Sequence, residues 1–355
     1  MSHTSTEFAP RPELEYPFEK RWSPEPGKPF EVVDGVYWLR MPLPIALDHI
    51  NLWILRDGDG WTIVDTGYDA LECKAVWDIV FDGFITPESV NKIIITHFHP
   101  DHIGLAAWLA RRCECPILIS EGEYNHYANI IGRDNTEFEV EAKAFVTEMG
   151  YPQQMVEKFL VFMLSDDKPA ESRVQRDMCR FIKEGDLIDI DGRDWRIIVG
   201  NGHSPEHACL YSAELNTMLS GDQSIARISS NVSVYPSNRN KDPLGDWLHS
   251  CQKLIDELPV DTLMLPAHQE PFKGNHERMQ QLISEHHTQL NRLRANVKQS
   301  MSPVEARSIL FNRELNVIET LLATGETLAH LNYLMHRGEV AMQIDNLGVA
   351  RYSII

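Results

Sequence analysis

Four side chains able to bind a metal fall in the six residues from His97 to His102: His97, His99, Asp101 and His102, within the string Thr96-His97-Phe98-His99-Pro100-Asp101-His102. His97 and His99 are two residues apart and can turn toward one point. Pro100 bends the chain, so Asp101 and His102 can face a second point nearby. Imidazole nitrogen combined with carboxylate oxygen suits zinc first, with iron or manganese as alternatives. More donors follow downstream. They are His203 and His207 in Gly202-His203-Ser204-Pro205-Glu206-His207, Asp222 in Ser220-Gly221-Asp222, and His268 in Pro266-Ala267-His268.

Each donor group follows a short apolar run that reads as a strand: residues 92–96, 195–199, 217–219 and 262–265. Strand ends are where open α/β sheets hold their sites. Residues 103–112 read as a helix, so the first donor group occupies a tight strand-to-helix loop.

The order HxHxDH, GH, GD and a final His after a strand extends over residues 30–275 and resembles the metallo-β-lactamase superfamily of metal-dependent hydrolases. The resemblance implies a first metal on His97, His99 and His203 and a second on Asp101, His102 and His268. Asp222 would bridge both, and Asp101 and Asp222 would be the catalytic carboxylates. Asp65, in Val64-Asp65-Thr66-Gly67, matches the family's early Asp. With His207 it would support the ligands from behind. The implied cofactors are two zinc ions, and the implied fold is a four-layered αβ/βα sandwich. Glu206 departs from the family pattern, because many members carry Gly there. GHSPEH resembles the branch with a small winged-helix tail that includes LACTB-like hydrolases.

The 355 residues are 43% hydrophobic and 24% charged, as in an ordinary globular protein. The formal net charge of −19 repels polyanions, which disfavours nucleic acid and anionic membranes as partners. The six cysteines form no CxxC pair and read as free thiols in a reducing compartment. No signal peptide and no apolar run long enough to span a membrane is apparent, so the expected location is the cytoplasm.

Residues 1–30 read as an extended lead-in and 31–299 as the main α/β domain. Residues 49–56 and 60–65 form a hairpin around Asp57-Gly58-Asp59-Gly60. Residues 68–82 read as a helix with Leu71, Ala75 and Ile79 near one face. Between 121 and 180 the strand rhythm gives way to helices, an insertion rich in bulky residues such as Met155 and Phe159. These side chains either pack the insertion onto the body or form a lid over an apolar substrate channel. Residues 225–240 form a loop after Asp222, with Asn231 and Tyr235 as candidate substrate contacts. Residues 300–355 open on the capping box Ser302-Pro303-Val304-Glu305. Three helices and a hairpin there resemble a winged helix. With four Arg, no Lys and six acids in residues 301–355, the tail suits a structural role or a homodimer contact better than DNA binding.

Two metals can share one water and bring its pKa near neutrality. No separate general acid stands out, which favours a leaving group that needs little protonation, such as a thiolate. The expected function is hydrolysis of a small-molecule acyl substrate, a thioester ahead of a lactone. The alternatives are a metal-dependent endoribonuclease and a metal-binding protein without turnover.

Overall fold

The computed structural model describes residues 13–44, 47–131, 135–164, 172–297 and 299–355, with 135 and 161–164 by backbone alone. Two sheets carry the body. The first runs β1 (Phe30–Val33), β2 (Val36–Pro42), β3 (His49–Asp57), β4 (Gly60–Val64), β5 (Val90–Ile94), β6 (Ile117–Ser120), β7 (Cys179–Ile182), in that spatial order. Its first half is antiparallel, and the β4–β5, β5–β6 and β6–β7 pairs are parallel. The second sheet has β8 (Leu187–Ile190), β9 (Arg193–Gly200), β10 (His207–Ser212), β11 (Thr217–Gly221) and β12 (Leu263–Pro266) in sequence order, with only the last pair parallel.

Alternation along the strands explains the layers. Successive side chains on a strand point to opposite faces. On β2 and β3, Trp38, Trp53 and Leu55 face the second sheet, where they meet Trp195, Ile197 and Leu210. Leu39, Met41, Leu52 and Ile54 face outward onto helices. Those helices are α1 (Leu71–Gly83), the short α2 (Pro100–Ile103), α3 (Ala106–Cys113) and α4 (Glu121–Ile131). The outer face of the second sheet, with Ile198, Cys209 and Met218, is covered by another cluster. That cluster draws on α5 (Asn135–Glu148), α6 (Gln153–Leu164), α7 (Pro243–Glu257) and α8 (Asn275–Asn296). The result is helix, sheet, sheet, helix: the αβ/βα sandwich. No helix among the described residues is long and apolar enough to cross a membrane.

The helical reading of 68–82 is borne out, but its buried face is another one. Cys73, Val76, Trp77 and Val80 point inward, while Leu71 and Ile79 are exposed. Trp77 decides the rotation. Its indole N–H donates to the Thr66 carbonyl at 2.9 Å, which ties α1 to the turn after β4.

The tail also departs from expectation. After α9 (Pro303–Leu310), where Ser302 and Glu305 do form the capping box, one continuous helix, α10 (Val317–His336), replaces the expected second and third helices. A hairpin, β13 (Val340–Ile344) and β14 (Ala350–Ile354), completes the tail. Gly325, which could have broken the helix, instead permits close approach: a Cβ there would lie 2.9 Å from Ser233 Oγ.

Phe159 and Met155 belong to this tail-facing packing. Phe159 is fully buried, with its ring 4.7 Å from that of Tyr151, whose hydroxyl donates to Thr324 Oγ1 at 2.5 Å. Met155 packs partly buried against the same cluster. The insertion is therefore held to the body by these side chains, as scaffold. Phe159→Ala should cost about 3–5 kcal/mol of stability through the cavity it leaves. Denaturant unfolding checks this.

Candidate metal centre

Four strand ends bring the donors to one edge of the sandwich. β5 leads into His97, His99, Asp101 and His102, and β9 into His203. β11 leads into Asp222 and β12 into His268. His97, His99, His203 and Asp222 each offer one atom to a group spanning no more than 4.8 Å, and Asp101, His102 and His268 form a second such group. The structure thus brings together all seven candidate ligands.

The Asp222 carboxylate stands between the two groups. Its Oδ2 lies 3.4 Å from His203 Nε2 and 4.0 Å from His97 Nε2. Its Oδ1 lies 3.6 Å from His102 Nε2 and 3.4 Å from His268 Nε2. Asp101 Oδ2 approaches the same two rings at 3.6 and 3.4 Å. Ligand atoms bound to one zinc at about 2.0–2.1 Å are separated by similar distances. His102 Nε2, His203 Nε2 and Asp222 Oδ1 are buried without any hydrogen-bond partner. Buried polar atoms are normally paired. This donor set therefore fits divalent cations, and one carboxylate oxygen of Asp222 faces each donor group.

The far side of three of the rings, those of His102, His203 and His268, is fixed by the chain. Asp65 accepts the Thr96 N–H and hydroxyl at 2.8 Å each and the His102 Nδ1–H at 2.7 Å. It does so from a left-handed backbone, φ +61°, that few non-glycine residues adopt. His203 Nδ1 donates to the Asn231 carbonyl at 2.7 Å, and His268 Nδ1 to the His49 carbonyl at 2.9 Å. In both rings Nε2 is left to face Asp222. His207 is fully buried and accepts the Asp222 N–H at Nε2, 3.0 Å. Gly221, at φ +50°, makes this contact feasible, since a Cβ would fall 2.5 Å from that imidazole.

Charge follows from this packing. Burial, then neighbouring imidazoles, hold His97 and His99 well below the ordinary histidine range. Burial and His203 push His207 down to about 3. Burial opposes charge on His102 too, but Asp65, Asp101 and Asp222 override it and hold the ring up to about 10. For Asp222, burial is outweighed by His268, His102 and His203, so its carboxylate lies well below its usual range.

Glu123 escaped the sequence reading. It is fully buried on α4, and its carboxylate accepts the Phe98 N–H at 2.9 Å and both the Ser204 hydroxyl and the Glu206 N–H at 2.6 Å. One side chain thus clamps the two loops that carry His97, His99 and His203. Burial, only partly offset by these donors, raises its carboxyl to about 7. Glu121 and Glu123 both stand in the first turn of α4 and belong to no motif. Glu206, the departure from the family pattern, accepts the Gly122 N–H at 2.6 Å and so docks its loop on the start of α4.

Beside His203 opens a cleft of about 400 Å³, lined among others by Asn125, His126, Asn129, Tyr235 and Lys241. Tyr235 thus lies where a substrate could touch it. Asn231 is engaged elsewhere, by His203 and by Glu326 through its Nδ2–H at 3.2 Å. Met155 and Phe159 do not line this cleft.

The fold and the two donor groups define a metal-dependent hydrolase. Residues 45–268 match the model of the metallo-beta-lactamase superfamily, and residues 290–355 that of the metallo-beta-lactamase-like C-terminal domain. The chain belongs to the metallo-beta-lactamase superfamily. It is similar to a beta-lactamase domain protein from Burkholderia ambifaria of known structure, with 36% identity and a TM-score of 0.85 over 96% of this chain and 98% of that one. It is 25% identical to the probable metallo-hydrolase YqjP of Bacillus subtilis, over 67% of this chain and 73% of that protein. It is 22% identical to the acyl-coenzyme A thioesterase MBLAC2 of Gallus gallus, over 70% of this chain and 82% of that protein.

Glu123→Gln should weaken metal retention by about 10–100-fold, the range for partners that orient ligands. Competition with a chelator measures this, and unchanged retention would show that the clamp does not act on the metal loops.

Proposed function

We propose that the protein is a dinuclear, zinc-class thioesterase acting on acyl-coenzyme A or a similar acyl carrier in the cytoplasm. The observation that carries the reading is the Asp222 carboxylate, whose two oxygens face separate histidine groups. Bound there, two divalent cations would lower the pKa of a water and polarise a carbonyl oxygen. The chain's own part is positional. Asp65, Asn231 and His49 aim the rings of His102, His203 and His268, and His207 fixes the Asp222 backbone. Thiolate departure needs no strong proton donor, which suits a centre whose imidazoles and carboxylates are all turned toward cations.

The cleft supports the carrier part of the substrate more than the acyl part. Its lining is rich in Asn and Ser, and Lys241 is exposed at its edge. Although Glu206 and Asp246 also line it, a polar cleft with a lysine at its edge suits the amides and phosphates of a pantetheine-nucleotide better than a hydrocarbon chain. The thioesterase activity named for the Gallus gallus relative points the same way. All six cysteines are free, in keeping with a reducing compartment. The net charge of −19 weighs against an RNA substrate.

The test is a panel of acyl-CoA, acyl thioesters of a small uncharged thiol, lactones and a β-lactam on zinc-loaded protein. Release of free CoA thiol is expected, with turnover abolished in Asp222→Ala. Lys241→Ala should raise KM for acyl-CoA about tenfold, equivalent to about 1.4 kcal/mol, and leave the small-thiol esters unchanged. An equal change for both ester types would remove the carrier-binding role of the cleft.

A further inference from the structure

A third donor cluster lies outside this centre. His286 on α8 and Glu326 and His330 on α10 each offer one atom, all within 4.8 Å of one another. Glu326 and His330 are four residues apart, so they stack on one face of their helix. His286 reaches them from the facing helix.

The local hydrogen bonds leave donor atoms turned inward. His330 Nδ1 donates to the Glu326 carbonyl at 2.8 Å, so its Nε2 carries a lone pair. That Nε2 lies 3.2 Å from His286 Nδ1. Both histidines are buried, with 0% and 4% of their surface exposed, and burial holds them neutral, down to about 4 for His330 and about 3 for His286. The Glu326 side chain has one hydrogen bond among the described residues, from Asn231 Nδ2 at 3.2 Å. Burial pushes its carboxyl up to about 7. A half-buried carboxylate beside two neutral imidazoles, with one amide for a partner, is costly unless a cation joins it.

We propose that His286, Glu326 and His330 form a third divalent-cation site, of the zinc class, that pins α10 of the tail to α8 of the body. Two imidazole nitrogens and one carboxylate oxygen are a donor set that zinc accepts. The 3.2 Å separation of the nitrogens is close to that of two ligands on one zinc. The site is one residue away from the catalytic centre, because Asn231 donates to Glu326 and accepts from His203. The rival arrangement is a bare imidazole pair, in which His286 Nδ1–H donates to His330 Nε2 and no ion binds.

The test counts metal and does not depend on turnover. The full chain is stripped with a chelator, re-equilibrated with zinc, freed of excess and analysed for zinc per chain. The wild type should hold one equivalent more than Glu326→Gln/His286→Gln. A His97→Ala/His268→Ala variant, crippled at the catalytic centre, should still lose one equivalent when Glu326→Gln/His286→Gln is added. The change from Glu and His to Gln preserves bulk, and circular dichroism verifies the fold. His330→Gln provides a second route to the same loss. Equal zinc content with and without these changes, in folded protein, means that the cluster is the bare imidazole pair and overturns the site, whatever the catalytic centre is found to hydrolyse.

Discussion

The Asp222 carboxylate, buried between two groups of imidazoles, is the interaction on which the rest of the structure depends. A buried negative charge is tolerated only where opposite charge and hydrogen bonds compensate it. Here its oxygens face His97, His102, His203 and His268, which arrive from the ends of three strands, β5, β9 and β12. Both sheets must therefore end at the same edge and in a fixed register. The aromatic layer between them, Trp38 and Trp53 against Trp195, supplies the rigid spacing.

Around that centre the chain places groups that aim the rings of His102, His203 and His268 and dock the loops that carry the candidate ligands. Asp65 gives up a favourable backbone conformation to hold Thr96 and His102. Such strain persists where the surroundings over-determine it and is common at functional sites. Glu123 and Glu206 bind the two histidine-bearing loops to α4, so the start of the insertion supports the centre. The rest of the insertion turns the other way and packs with the tail through Tyr151, Phe159 and Thr324. The loop after Asp222 links both regions, since Asn231 touches His203 on one side and Glu326 on the other.

The ligands could be read in the sequence because each is close behind a strand, and strands announce themselves by short β-branched runs. The sandwich was implied by the resemblance that the order of these residues carries. What could not be read depends on contacts made far along the chain. The rotation of α1 is set by Trp77 reaching the Thr66 carbonyl, so its exposed Leu71 and Ile79 looked as suitable for burial as Val76 and Val80. Met155 and Phe159 were visibly apolar, but the cluster they join also draws on the body and on a tail that begins well over a hundred residues later. The tail's two expected helices are one, and the close approach of Ser233 to Gly325 shows why the helix keeps a glycine there. Glu123 carried no motif at all, because its importance comes from three donors on two distant loops.

The central claim is that Asp222 is shared by two cation positions. Anomalous diffraction from zinc-loaded crystals, recorded on both sides of the zinc absorption edge, tests it most directly. The account predicts two peaks flanking the Asp222 carboxylate, one beside His97, His99 and His203 and one beside Asp101, His102 and His268. A single peak at saturation, or two peaks with Asp222 turned away from one of them, would contradict it.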